Sequence, residues 1–312
     1  MSNHDLVVKT EKLSQCSQIW DEIFPQTPSR SPFLSYGWFY ALCNNLLKDE
    51  PEIFVFWDED RPVGIFPGIV EDKTFRFIQD RRVTDICDGI YISDYEYQFM
   101  KSFSAFITEN DWHVDLFPLK DDSAVVRFLP ELLGDVIIEK ADVSPILYLP
   151  GTWNSYLNRL GGKRRHELRR KMKKAGNVSL KDVESGEIEM LFRLMTASSD
   201  EKRNFLDDEV RSFFQAIADY FSEKRWLRFR ATFIDSEPIG TIFSFYYDNC
   251  IFLYNMGIDP DYHSISPGII TIALDIKSAI SEGIKSYDFL RGNERYKFSL
   301  GAEERFTMRV RR

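Results

Sequence analysis

Between Tyr287 and Lys297 the chain reads YDFLRGNERYK and gathers two carboxylates, two phenols and three cations. A carboxylate can take a proton from a reacting group, a phenol can give one, and Arg or Lys can hold an anion. Asp288 and Glu294 are therefore candidate bases, Tyr287 and Tyr296 candidate acids, and Arg291, Arg295 and Lys297 candidate anion contacts. Each has a plainer alternative. Asp288 lies in a strand-like run and could cap a neighbouring element, Arg295 could be a solvated loop charge, and Lys297 could be a structural salt-bridge partner. Phe289 and Phe298 read as core. The segment starts as a strand and breaks at Gly292, so its chemistry would sit where a buried strand ends.

Two upstream stretches could hold an anion. In HSISPGIITIALDIKSAISEG, Ser266 and Pro267 suit the N-cap and first position of a helix, and Ile269, Ile272, Ala273, Ile276 and Ile280 form one face, ended by Gly283. Backbone N–H groups at such a start, with Gly268 allowing close approach, suit a phosphate or pyrophosphate. His263, just before the turn, could contact that phosphate or act as a base, or be a loop residue with no role. The second stretch, Arg159 to Lys174, carries nine Lys and Arg against the single acid Glu167, a local charge of +8 in a chain of −9. Leu168, Met172 and Ala175 make a narrow apolar stripe on this cationic helix, with Gly176 as its cap. A basic run is commonly a solvated face. As an anion site, Arg165 and Arg169 beside the stripe would turn inward, and Arg170 and Lys174 would face water.

The elements that must position these residues come from a chain of 312 residues with 44% hydrophobic content, enough for one large core or two domains. The net charge of −9 argues against a general nucleic-acid or anionic-membrane binder. The N-terminus has no apolar leader-like region and no apolar run approaches the ~20 residues of a membrane-spanning helix, so the expected location is cytoplasmic. Cys16, Cys43, Cys87 and Cys250 are far apart and signal neither zinc nor disulfides, and no metal is expected.

An internal repeat suggests the domain plan. DRPVGIFPGI from Asp60 and SEPIGTIFSF from Ser236 share a polar turn, a Pro, a Gly and an apolar run, and each follows a strand-like stretch. Each predicts a β-hairpin. Downstream, HVDLFPLKDD around Asp115 parallels SYDFLRGNER around Asp288. Either one unit occurs twice, or Pro-x-Gly turns coincide.

The order hairpin, strand, SPG turn, amphipathic helix, strand YDFLRG and then ERYKFSLGA resembles the C-terminal half of GNAT-superfamily acetyltransferases associated with cellulose and exopolysaccharide synthesis. KRRHELRRKMKKAGNV is similar to the linking helix of that group and of the related Fem peptidyltransferases. The likeness covers about residues 150–312 well and the first half by pattern. It implies an α/β (α+β) fold of tandem GNAT-like domains, each a mixed, mostly antiparallel sheet flanked by helices: an N-terminal domain over 1–150, a basic linking helix over 151–177 and a catalytic domain over 178–312. It implies acetyl-CoA or another acyl-CoA as co-substrate, with pantetheine along Met256, Gly257 and Ile258 and pyrophosphate near His263, Ser266 and Gly268. Catalysis would fall to Glu294, Asp288 and Tyr296, with Arg165, Arg169, Arg291 and Lys297 contacting substrate or anion. YHSISPG replaces the commoner glycine-rich turn. The expected activity is N-acyl transfer to an amino group of an envelope sugar or nucleotide-linked precursor. The alternatives are a Fem-like ligase drawing on aminoacyl-tRNA and a non-catalytic module binding an anionic glycan, lipid or nucleic acid.

Overall fold

Both Pro-x-Gly stretches fold as the return strand of a hairpin, and both hairpins carry the same irregularity. In the computed structural model, which describes residues 5–29, 31–48 and 50–312, Trp57 opposes Pro62 with a bulge between Phe56 and Trp57. Phe233 opposes Pro238 with a bulge between Thr232 and Phe233. Each turn holds a left-handed acidic residue, Glu59 (φ 52) and Asp235 (φ 54). A proline next to a bulge loses no ladder hydrogen bond that the bulge has not already disrupted. The glycine two residues on has the same use in both copies. A Cβ on Gly64 would lie 2.3 Å from the Phe99 ring, and one on Gly240 would lie 2.5 Å from Thr271 Oγ1. Phe99 and Thr271 belong to the helices Glu96–Glu109 and Pro267–Ser281, so each glycine lets a helix sit against its strand.

The chain divides into two compact units, residues 1–142 with 306–312, and residues 143–305. The first contains β1 (Val7–Lys12), β2 (Glu52–Asp58), β3 (Arg61–Phe66), β4 (Gly68–Glu71), β5 (Thr74–Phe77), β6 (Ile90–Tyr91), β7 (His113–Leu119), β8 (Ile137–Val143) and β15 (Phe306–Arg311). These form two sheets, ordered β1-β2-β3-β6 and β4-β5-β7-β15-β8. The second contains β9 (Ile146–Tyr148), β10 (Ser179–Asp182), β11 (Leu227–Ile234), β12 (Glu237–Tyr247), β13 (Cys250–Ile258) and β14 (Ser286–Asp288) in one sheet ordered β10-β11-β12-β13-β14-β9. The fold is thus mixed α/β with mostly antiparallel sheets flanked by helices. The first unit has two sheets because Pro67, which has no N–H to donate, separates β3 from β4, whereas β12 runs unbroken through eleven residues.

The downstream echo is also structural. β7 pairs parallel with β5, and β14 pairs parallel with β13. The structural division differs from the sequence boundaries in two places. The last strand returns to the first unit, pairing with β7 and placing Arg309 on Asp115 at 2.6 Å. The basic segment packs within the second unit as two helices, Trp153–Arg159 and Gly162–Ala175. There Tyr156 and Leu168 join Leu253, Ile272, Ile276 and Leu300 in the buried core.

Candidate active site

β13 is nine residues long and β14 three, and their parallel pairing covers Cys250–Phe252 against Ser286–Asp288. Beyond Phe252 the two strands part. A cavity of about 440 Å³ opens beside the freed end of β13, lined by Met256, Ile258, His263, Ser266, Gly268 and Tyr296 among others. These six were all expected in the site from sequence, and the fold brings them to one place. Ligands of open α/β sheets collect at the carboxyl ends of strands where neighbours diverge, which is this position.

The start of the Pro267–Ser281 helix forms one wall. Ser266 is the N-cap in left-handed backbone (φ 57, ψ 62), and its side chain does not cap the helix. Its Oγ accepts instead from Lys171 Nζ at 2.5 Å. Pro267 has no N–H, so the amides of Gly268 and Ile269 are first-turn donors without an intrahelical acceptor. A Cβ on Gly268 would come 2.7 Å from Met256 Cε, so any larger residue there intrudes on the cavity wall. His263 is exposed, with Nδ1 3.2 Å from Pro260 O.

The basic helix presents a different flank to this wall from the one expected. Lys171 bonds Ser266, and Lys174 Nζ donates to Ser264 O at 2.7 Å. Arg165 and Arg169 lie across the Leu168/Met172 stripe, where Arg165 Nη1 donates to Asn158 Oδ1 at 3.3 Å and Arg169 is exposed. Arg170 is held by Glu167 at 2.7 Å. The stripe has cations on both flanks, so its position alone cannot say which flank faces the cavity.

The loop after β14 sorts the remaining candidates. Asp288 is 2% exposed, and its Oδ1 accepts from Leu290 N at 2.8 Å, holding Leu290 at φ 55. Its place is in the turn, not open to a substrate. Tyr287 is also buried, donating to Asp275 Oδ2 at 3.0 Å. Lys297, 2% exposed, donates to the carbonyls of Leu290, Arg291 and Gly292 at 3.2, 2.8 and 3.2 Å and pairs with Glu294 at 3.0 Å. It is thus the structural partner, and the anion-contact expectation is corrected. Arg291 is half-buried, with its carbonyl committed to Lys297. Gly257 offers the cavity backbone only: a Cβ there would lie 2.6 Å from Met195 N, so this glycine admits the Ile188–Ser198 helix on the opposite face of β13 from Met256 and Ile258.

Glu294 and Tyr296 remain together near the cavity. Burial pushes the Tyr296 phenol well above its ordinary range, and the Glu294 charge adds to this, so the phenol holds its proton at neutral pH. Glu294 is exposed. Lys202 completes the group and was not foreseen. It lines the cavity and donates to Met256 O on the freed edge of β13. Burial lowers its pKa, against the opposing pull of Glu294 and Glu201. It lies on the short helix Asp200–Phe205, 54 residues before Met256, and ASSDEKRNF carries no pattern that marks one lysine. Among the described residues no group of three or more His, Cys, Asp or Glu could hold a metal ion, and no helix is long and apolar enough to cross a membrane.

Comparison with known families agrees with the geometry. Residues 162–298 match the acetyltransferase (GNAT) domain. That span includes every side chain named around the cavity. Solved structures resemble the chain over nearly all its length. FemX has a TM-score of 0.66 at 10% identity, covering 94% of this chain and 95% of that one. The C-terminal domain of a putative lysylphosphatidylglycerol synthetase from Agrobacterium fabrum has a TM-score of 0.61 at 8% identity, covering 96% and 92%. A tandem GNAT protein from the clavulanic acid biosynthesis pathway has a TM-score of 0.50 at 10% identity, covering 98% of both chains. At such identities the likeness is one of fold, and the fold is of the tandem GNAT kind. No curated protein matches the sequence.

Proposed function

We propose that the GNAT domain of this chain transfers an acyl group from a CoA thioester to an amino group, with an envelope sugar or nucleotide-linked precursor as acceptor. The observation that carries the reading is the cavity where β13 leaves β14, which places a freed strand edge, a helix start with open amides and a protonated tyrosine around one space. Along β13 an extended amide-bearing arm would replace Lys202 on Met256 O and Ser198 Oγ on the Ile258 N–H and C=O, and the amides of Gly268 and Ile269 with Lys171 suit a pyrophosphate. In the transfer the amine nitrogen bonds to the acyl carbon and the carbon–sulfur bond breaks. Tyr296 would protonate the departing thiolate, and Glu294, which is paired with Lys297, would take the proton from the ammonium. Lys202, beside Met256 O, adds a positive charge near the developing oxyanion.

The test is binding of acetyl-CoA to the full chain by calorimetry, with Gly268→Asp as the variant. Acetyl-CoA should bind and protect against heating, by about 2.7 kcal/mol at a hundredfold excess over Kd. Gly268→Asp should remove both effects while retaining the fold, because its carboxylate stands where phosphate would. Unchanged affinity in the variant would remove the donor from this cavity. Protection by aminoacyl-tRNA and none by acetyl-CoA would assign the Fem-like donor instead.

A further inference from the structure

The first unit holds a polar pocket at the place corresponding to the acyl cavity of the second. β5 and β7 pair at Thr74–Arg76 against His113–Asp115, after which β7 runs on to Leu119. At its carboxyl end, beside the starts of the helices Glu96–Glu109 and Ala124–Leu133, is a pocket of about 270 Å³. Asp88 lines it and is 1% exposed. One carboxylate oxygen accepts from Gly89 N at 2.9 Å and from Ser123 Oγ at 2.8 Å; the Ser29 hydroxyl lies near the carboxylate, and Oδ2 has no partner at hydrogen-bond distance among the described residues. A buried acceptor left without a donor is destabilising, so a group that supplies one gains a strong contact.

The chemistry is the reverse of the second unit's. At the start of the corresponding helix stands Glu96, which accepts from Arg127 at 2.5 Å and from Tyr91 Oη at 2.9 Å. Its carboxylate occupies the ground a phosphate would need. Arg127 is committed to Glu96 and to Asp122 O at 3.2 Å. The pocket therefore wants a donor, and a small one. We propose that it binds a compact ligand carrying a primary ammonium, with Asp88 Oδ2 as the acceptor. This site stands independently of the acyl donor assigned to the second unit.

The same geometry predicts a pH dependence. Burial pushes the Asp88 carboxyl up to about 6, against the pull of Ser123, Ser29, the Gly89 amide and the Lys120 charge at the end of β7. Tyr91 is held protonated by burial, with the Asp88 charge adding to the effect, and Glu96 and Arg127 neutralise each other. An ammonium needs the ionised carboxylate, so affinity should be full above about pH 6 and fall below it by roughly tenfold per unit, as the ligand competes with one proton.

Calorimetric titration of the full chain with ethanolamine and glucosamine, with glucose as the uncharged control, decides the matter. Both amines should bind at neutral pH and glucose should not, and Asp88→Asn should weaken the amines at least tenfold. The pH series on the wild-type chain gives the same answer should Asp88→Asn fail to fold. Glucose binding as well as glucosamine, neither amine binding, affinity unchanged in folded Asp88→Asn, or affinity flat through pH 6 would each overturn the proposal.

Discussion

One lysine and two arginines on one helix make the sharpest distinction at the scale of single residues. Lys171 reaches the N-cap of the Pro267–Ser281 helix and its side chain is 24% exposed, whereas Arg169 is exposed on the other flank and Arg170 is held by Glu167. A partly desolvated cation on a phosphate contributes roughly 1.5–3 kcal/mol, about ten- to a hundredfold in affinity. Lys171→Met should therefore weaken acetyl-CoA binding at least tenfold, while Arg169→Gln and Arg170→Gln leave it within twofold; equal effects in all three, measured by calorimetry, would contradict this placement. On the anion-site reading the sequence turned Arg165 and Arg169 inward, whereas Lys171 and Lys174 meet the cavity wall, since a stripe of three apolar residues has cations on both sides. The family resemblance set Gly257 beside pantetheine with Met256 and Ile258; the space over its Cα is taken by the backbone of another helix.

At the scale of elements, the far end of the Pro267–Ser281 helix is held by a buried ionic network. Asp275, fully buried, receives Arg228 Nε at 2.9 Å, Arg230 Nη1 at 3.1 Å and the Tyr287 hydroxyl at 3.0 Å, while Glu282 binds Arg228 at 2.7 Å. Paired in this way the helix, β11 and β14 are fixed against one another, which keeps the helix start aligned with the edge of β13. Hydrogen bonding to Arg228 lowers the Glu282 carboxyl to about 2 from an ordinary 4.5. A carboxyl lowered on folding stabilises the folded state above its unfolded value, and that stability is lost as pH falls from about 4.5 towards 2. With the side chain 38% exposed and screened by water, its contribution at neutral pH is about 1–2 kcal/mol. Glu282→Gln should lower the unfolding free energy by that amount at neutral pH, with the difference from wild type vanishing near pH 2; a constant difference across the acid range in denaturant titrations would refute the linkage. In LRFRATF, Arg228 and Arg230 alternate with apolar residues. They are covered by the helix that carries Asp275, and a single strand's period cannot show what packs on its polar side.

Across the whole molecule, the repeat is where sequence and structure agree most closely, because Pro and Gly act through local backbone geometry and leave the same mark wherever the unit recurs. The features that escaped are non-local. The last strand returns to β7, and Lys202 arrives at Met256 from a separate helix. The two units share a plan and differ in their pockets: one helix start is open and flanked by lysines, and the other is filled by Glu96. The central claim is that the cavity beside the freed edge of β13 receives CoA. A crystal structure of the full chain soaked with CoA tests it most directly. The account predicts pyrophosphate density at the amides of Gly268 and Ile269 within reach of Lys171, pantetheine along Met256–Ile258, and Lys202 released from Met256 O. CoA bound elsewhere, or an empty cavity at saturating CoA with Lys202 still on Met256, would contradict it.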